Sequence, residues 1–153
     1  MKHIIGFDKE FKIILNQLIN NKLSNSFLLT GSKGIGKNFF FKRIIEENIK
    51  KFVVNDQIDH HLSLLKNNSH PNVKILKKEL DEKTKKFKNF ITIDQIRKLN
   101  KFSLETSFIE NMSKFIIIDS ADDMNLNASN ALLKILEEPK KNTYFLLISH
   151  HPS

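Results

Sequence analysis

Cysteine is absent from this 153-residue sequence, and arginine occurs only as Arg43 and Arg97. Without thiols the chain forms neither disulfides nor thiolate zinc sites, which fits a reducing compartment. No apolar run approaches the ~18 uncharged residues that a membrane-spanning helix needs. The opening MKHIIGFDKE meets acid too early for a secretory h-region, so a cytosolic chain with no membrane partner is expected. Glycine is scarce as well: three of the four glycines fall at 31, 34 and 36, concentrating conformational freedom in one short stretch.

What is abundant is lysine. The formal charge is +8, nearly all of the positive side carried by lysine, in a chain crowded with Asn, Ile and Phe. Two readings account for that mixture. An AT-rich genome writes it onto any protein surface, and clustered cations also suit an acidic or nucleic-acid partner by displacing counterions from phosphate backbones. Composition leaves both open. The length suits one domain, residues 1–153, able to bury roughly 68–70% of the surface its unfolded chain exposes.

Apolar spacing orders the elements. FKIILNQLINNK places Phe11, Ile14, Leu15, Leu18 and Ile19 on one helical face, and SFLLT reads as a short strand running into glycine. NFFFKRIIEENIKKF is the next helix, and VKIL, Val73–Leu76, the second strand. KKELDEKTKKFK has no apolar period and reads as a solvated, flexible connector. Thr92 with Gln95 three residues on forms a capping-box pattern before a helix carrying Ile96 and Leu99. KFIIID is a β-branched run of the kind buried on both faces of a parallel sheet. NASNALLKILEEP puts Ala128, Ala131, Leu132, Ile135 and Leu136 on one face and stops at Pro139, and TYFLLISHH closes as another buried strand. Strands alternating with helices predict an α/β fold with a mostly parallel central sheet flanked by helices in three layers.

The stretch GSKGIGKN carries the chemistry. Gly31, Gly34, Gly36 and Lys37 match G-x-x-x-x-G-K-[ST], a phosphate-binding loop whose glycines turn backbone N–H groups inward while the lysine faces the β- and γ-phosphates. The strand before and helix after are the required context. Ser32, Lys33 and Ile35 complete the loop, and Asn38 stands where a metal-coordinating hydroxyl is called for; its amide carbonyl is the alternative metal ligand. Asp119, at the C-terminal end of FIIID, lies where doubly wound sheets place their ligand crevice and reads as the acid supporting Mg2+. His60, His61 and His70 do not make a zinc site by spacing, because adjacent histidines on a helix point about 100° apart.

GSKGIGK, FIIIDSADDMN, NASNALLKILEEPKKNTYFLLISHHP and the opening HIIG together resemble the AAA+ domain of bacterial DNA polymerase III clamp-loader subunits, most closely the delta-prime type. That resemblance implies a P-loop NTPase fold, ATP as the candidate ligand with a compromised Mg2+ site, and adenine contacts from Ile4, Ile5 and Gly6. It places Ser149 at the sensor-1 position and Ser120 where active relatives carry a water-orienting glutamate. Asp122 and Asp123 lie past that position and are expected to face solvent or cap the next helix. No zinc is expected, since the cysteine-rich module of many relatives is missing; His70 and Pro71 are expected to be structural.

The implied partners are the other clamp-loader subunits of a hetero-oligomeric ring and, through the assembly, the sliding clamp and primer-template DNA. The lid and collar domains and the Ser-Arg-Cys element of the family lie beyond this sequence, and neither arginine matches the trans-acting finger. With both catalytic positions altered, a non-catalytic subunit is the expected function. An active Mg-ATPase using the Asn38 carbonyl, or a lysine-rich nucleic-acid-binding module, are the alternatives.

Overall fold

Phe115, Ile116, Ile117 and Ile118 have no exposed surface, and the fold is arranged around that fact. They belong to strand β3 (Lys114–Asp119), which lies inside a four-stranded sheet of order β1-β4-β3-β2, with β1 Ser26–Thr30, β2 Val73–Leu76 and β4 Thr143–Ser149. Every pairing is parallel. Parallel neighbours need crossovers, and the crossovers here are helices that cover both faces. The computed structural model describes residues 8–138 and 140–151.

Side-chain alternation along the central strands divides the interior in two. Phe115 and Ile117 of β3, with Tyr144, Leu146 and Ile148 of β4, face helices α1 (Asp8–Ile19), α2 (Lys37–Phe52) and α3 (Ile58–Lys66). Ile116, Ile118 and Phe145 face α4 (Ile93–Leu104) and α5 (Leu126–Glu137). The result is the expected three-layer α/β domain of the P-loop, AAA+ type. Phe40 and Phe41 of α2 are fully buried and meet edge-to-face at 5.9 Å, a geometry that adds about 0.5–1.5 kcal/mol to their area burial.

Local chemistry sets the helix starts. The Thr92 side chain accepts from the Gln95 backbone, and the Gln95 side chain accepts from the Thr92 N–H at 3.0 Å, so the capping box at α4 is formed. Asn125 caps α5 by accepting from the Ala128 N–H at 2.8 Å.

Two expectations meet a different outcome. Ile19, assigned to the buried face of α1, is 47% exposed because the helix ends there. The charged connector is not flexible chain but an ordered turn: Leu80 and Phe87 form an antiparallel bridge, and Asp81 Oδ1 accepts from the N–H groups of Lys83 and Thr84. Helix α3 went unread, although Ile58, Leu62 and Leu65 recur at i, i+4 and i+7 on the side packed against α2. Pro139, read as the stop of α5, lies outside the described residues.

A buried polar knot fixes the start of β2. Asn72 is fully buried; its amide donates to Ser107 Oγ at 2.7 Å, its carbonyl Oδ1 accepts from the Phe108 N–H, and its backbone oxygen accepts from the Phe115 N–H of β3. Beside it, His70 Nδ1 accepts from the Asn72 N–H at 3.1 Å. That leaves the His70 hydrogen on Nε2, which meets His61 Nδ1 at 3.0 Å.

Burial, and then the neighbouring His61, lower the His70 pKa from 6.5 to about 4. Between those values the unfolded chain binds a proton that the folded chain refuses. Stability is therefore complete above about pH 6.5 and declines as pH falls, by about 2 kcal/mol at pH 5. Urea-unfolding midpoints measured across that range should decline accordingly, and His70→Gln should flatten the decline while lowering stability at neutral pH.

Candidate functional site

The loop after β1 turns on glycine. Gly34 and Gly36 adopt φ of 88° and 90°, left-handed values that a Cβ would strain, and they carry the chain from Thr30 into the first turn of α2. The Gly31 N–H donates to Ser149 O at 3.2 Å, which fastens the loop to the end of β4. Helix α2 starts with no side-chain cap and no acid in its first turn, so its N-terminal N–H groups and positive dipole end face the loop. Ser32, Lys33 and Ile35 form the exposed rim.

Lys37 is buried within this loop, only 3% exposed. Its Nζ donates to Gly31 O at 2.7 Å and Ser32 O at 2.6 Å. Burial lowers its pKa, and the nearby carboxylates of Asp119 and Asp122 oppose that shift. The ammonium is thus held at the loop's centre by two carbonyls that a phosphate would replace as acceptors.

Asp119 ends β3 opposite the loop, as expected. Both of its carboxylate oxygens have partners: Asn38 Nδ2 lies 3.2 Å from Oδ2, and His150 Nε2 lies 3.3 Å from Oδ1. An ionised carboxylate only accepts, so it is the Asn38 amide N–H, not the carbonyl, that meets it. A Mg2+ ion requires oxygen ligands in near-octahedral array at ~2.0–2.1 Å. This donor set does not fit Mg2+, because position 38 presents an N–H and the other carboxylate oxygen is taken by imidazole.

Next to it, Asp122 is exposed, as expected, and its carboxylate is also engaged within the protein. Its Oδ1 accepts from Ser149 Oγ at 2.7 Å, and its Oδ2 accepts from Ser120 Oγ and the His150 N–H, each at 2.7 Å. Its own N–H donates to Ser120 Oγ at 3.1 Å. Burial on its own would raise the Asp122 carboxyl; the His150 N–H and the Ser149 and Ser120 hydroxyls outweigh it and hold the pKa below the usual range. Asp123 instead reaches Lys78 at 3.8 Å.

The structure therefore brings together Lys37, Asn38 and Asp119, with Gly34 and Gly36, around a cleft of about 540 Å3. Ser149 stands at the predicted strand end, but its hydroxyl is engaged by Asp122. Ile4, Ile5 and Gly6 lie outside the described residues. Sequence reading missed His150 and Lys42, which also line the cleft; the i, i+4 spacing of Asn38 and Lys42 was the available signal for the second. A larger hollow of about 750 Å3, lined by Asn48, Asn111 and Ser113, lies toward the N-terminal ends of the central strands, away from this chemistry. Among the described residues no three His, Cys, Asp or Glu side chains cluster to hold a metal, and no helix is long and apolar enough to cross a membrane.

Comparison with known proteins points one way. Residues 7–153 match the family described as DNA polymerase III, delta subunit. The chain is 30% identical over 156 residues to DNA polymerase III subunit delta' of Bacillus subtilis, covering 92% of this chain and 41% of that protein. It is 42% identical over 90 residues to the protein of the same name from Pseudomonas aeruginosa, covering 59% of this chain and 25% of the relative. A crystal structure of a DNA polymerase III gamma subunit-related protein from Thermotoga maritima superposes with a TM-score of 0.52 at 20% identity, over 89% of this chain and 39% of that one; it shares the fold. The chain spans less than half the length of these relatives.

Asp122 is the connection that closes the ends of β3 and β4 on each other. Asp122→Ala removes an acceptor with three donors outside its own residue, and should lower stability by about 1–2 kcal/mol. Thermal unfolding compared with Asp123→Ala, whose ion pair is partly exposed and worth less, checks this.

Proposed function

Because the chain belongs to the DNA polymerase III delta-subunit family, in the delta-prime type named for its curated relatives, we propose that it works as a non-catalytic AAA+ module of the replicative clamp loader. In that role it occupies a place in a hetero-oligomeric ring of clamp-loader subunits. The ring opens the sliding clamp and loads it onto primer-template DNA in the cytoplasm. Neighbouring subunits are the direct partners; clamp and DNA are engaged through the assembly.

One observation carries the non-catalytic part. The residue after Asp119, where active relatives present a water-orienting glutamate, is Ser120, and its hydroxyl donates to Asp122 at 2.7 Å. General-base assistance contributes ~10²–10⁴ in rate, and a hydroxyl already committed to a carboxylate supplies none. Asp122 does not substitute for it, since its oxygens accept three hydrogen bonds from Ser149, Ser120 and His150 and its basicity is lowered. Asn38 removes the other requirement, a hydroxyl ligand for the metal.

ATP hydrolysis by the purified chain with Mg2+ is expected to equal that of Lys37→Ala, at background. The double substitution Asn38→Thr with Ser120→Glu restores both missing groups and should raise turnover above background. Wild-type hydrolysis that Lys37→Ala abolishes would refute the non-catalytic reading in favour of an active ATPase.

A further inference from the structure

The cleft holds more positive charge than a phosphate loop needs, while its metal side is closed. Lys42 follows Asn38 by one turn of α2, so the two project from the same helix face. Lys33, Lys37 and Lys42 line one hollow together with Asn38, Asp119 and His150, and among the described residues Asp119 is its only lining acid. Lys42 is not locked away from it: Nζ donates to Asn68 Oδ1 at 2.7 Å, in an exposed contact that a stronger acceptor can replace.

In a metal-dependent phosphate loop, a divalent cation offsets part of the polyphosphate charge and is itself held through the strand-end aspartate. Here that aspartate accepts from Asn38 and His150 instead. The charge balance has moved from a metal onto side chains. Three lysines against one carboxylate already hydrogen-bonded within the protein leave an anion site of about 540 Å3, with the open N-terminus of α2 at its floor.

We infer that this cleft binds a polyphosphate chain, free or as part of a nucleoside triphosphate, without a divalent metal, Lys33 and Lys42 supplying the charge that the cation supplies elsewhere. Asn38 and His150 hold Asp119 out of metal coordination, so a Mg2+-complexed triphosphate gains nothing at that carboxylate. The inference rests on the phosphate-loop reading of Gly31 to Asn38, and extends it to a ligand form that the loop pattern does not specify. It assigns a binding role to Lys42, a residue outside the motif.

The test is a titration of the full chain with a fluorescent ATP analogue, once in EDTA and once in excess Mg2+, followed by displacement with inorganic tripolyphosphate. Binding at least as tight in EDTA as in Mg2+, displaced by tripolyphosphate, is expected. Lys42→Ala should weaken it roughly tenfold, the loss of one charge-assisted hydrogen bond, and Lys33→Ala, on the exposed rim, repeats the measurement at a position that cannot disturb α2. Binding that requires Mg2+, that tripolyphosphate fails to displace, or that is missing from a protein shown by circular dichroism to be folded, would each overturn the inference. None of those results touches the non-catalytic reading, which fails separately, through Lys37-dependent hydrolysis.

Discussion

Two-sided burial of β3 is the constraint on which everything else rests. Full burial of a Phe or Ile side chain contributes about 1.5–3 kcal/mol, so Phe115 to Ile118 together account for roughly 6–12 kcal/mol before entropy. That is comparable with the entire net stability of a domain, about 5–15 kcal/mol. Exposed ion pairs such as Arg97 with Asp94, whose side chains are 69% and 78% exposed, are worth well under 1 kcal/mol each and decide nothing at this scale. A strand buried on both faces needs a covering layer above and below, and here parallel neighbours joined through helices supply both. It also has to end at a crevice, and the residue at that end is Asp119.

The crevice is built from the same register. Thr30 pairs with Ser149, and Asp119 with Ile148, so the ends of β1, β4 and β3 arrive side by side and deliver the loop, Ser149, His150 and the two acids to one place. Asp122 then accepts from Ser149, Ser120 and His150, tying the strand ends with hydrogen bonds made within the protein. Asp119 is satisfied in the same way by Asn38 and His150. Carboxylates at such a position otherwise need a cation, and unpaired ones at close quarters repel. Replacing the cation with N–H and O–H donors removes that need.

Most of the fold was legible because the sequence states it redundantly. KFIIID is apolar without alternation, Thr92 and Gln95 spell out a capping box, and three glycines sit between a strand and a helix; each signal is local, and each element formed where its signal lies. The unread parts depend on contacts between distant residues. Helix α3 is nine residues long and buries only Leu65, so its period is too brief to stand out. The turn from Lys77 to Lys88 is held by backbone bonds and by Asp81, which a run of lysines conceals. In the site, Lys37, Asn38 and Asp119 followed from motif spacing, but the partners of Asp122 lie two, 27 and 28 residues away, and no pattern along the chain predicts that Ser149 and His150 converge on it. His150 was passed over for the same reason.

Glycine reaches many conformations besides the left-handed ones of Gly34 and Gly36, so a loop of this kind keeps one shape only where its surroundings enforce it. This one is enforced by the protein's own contacts. Lys37 bonds two loop carbonyls from inside, the Gly31 N–H is anchored on β4, and Phe40 and Phe41 drive the first turns of α2 into the core. The conformation is therefore a consequence of how β1 and α2 pack, and it does not depend on a hydroxyl at position 38. The positive cradle persists as a by-product of the fold, available to bind an anion.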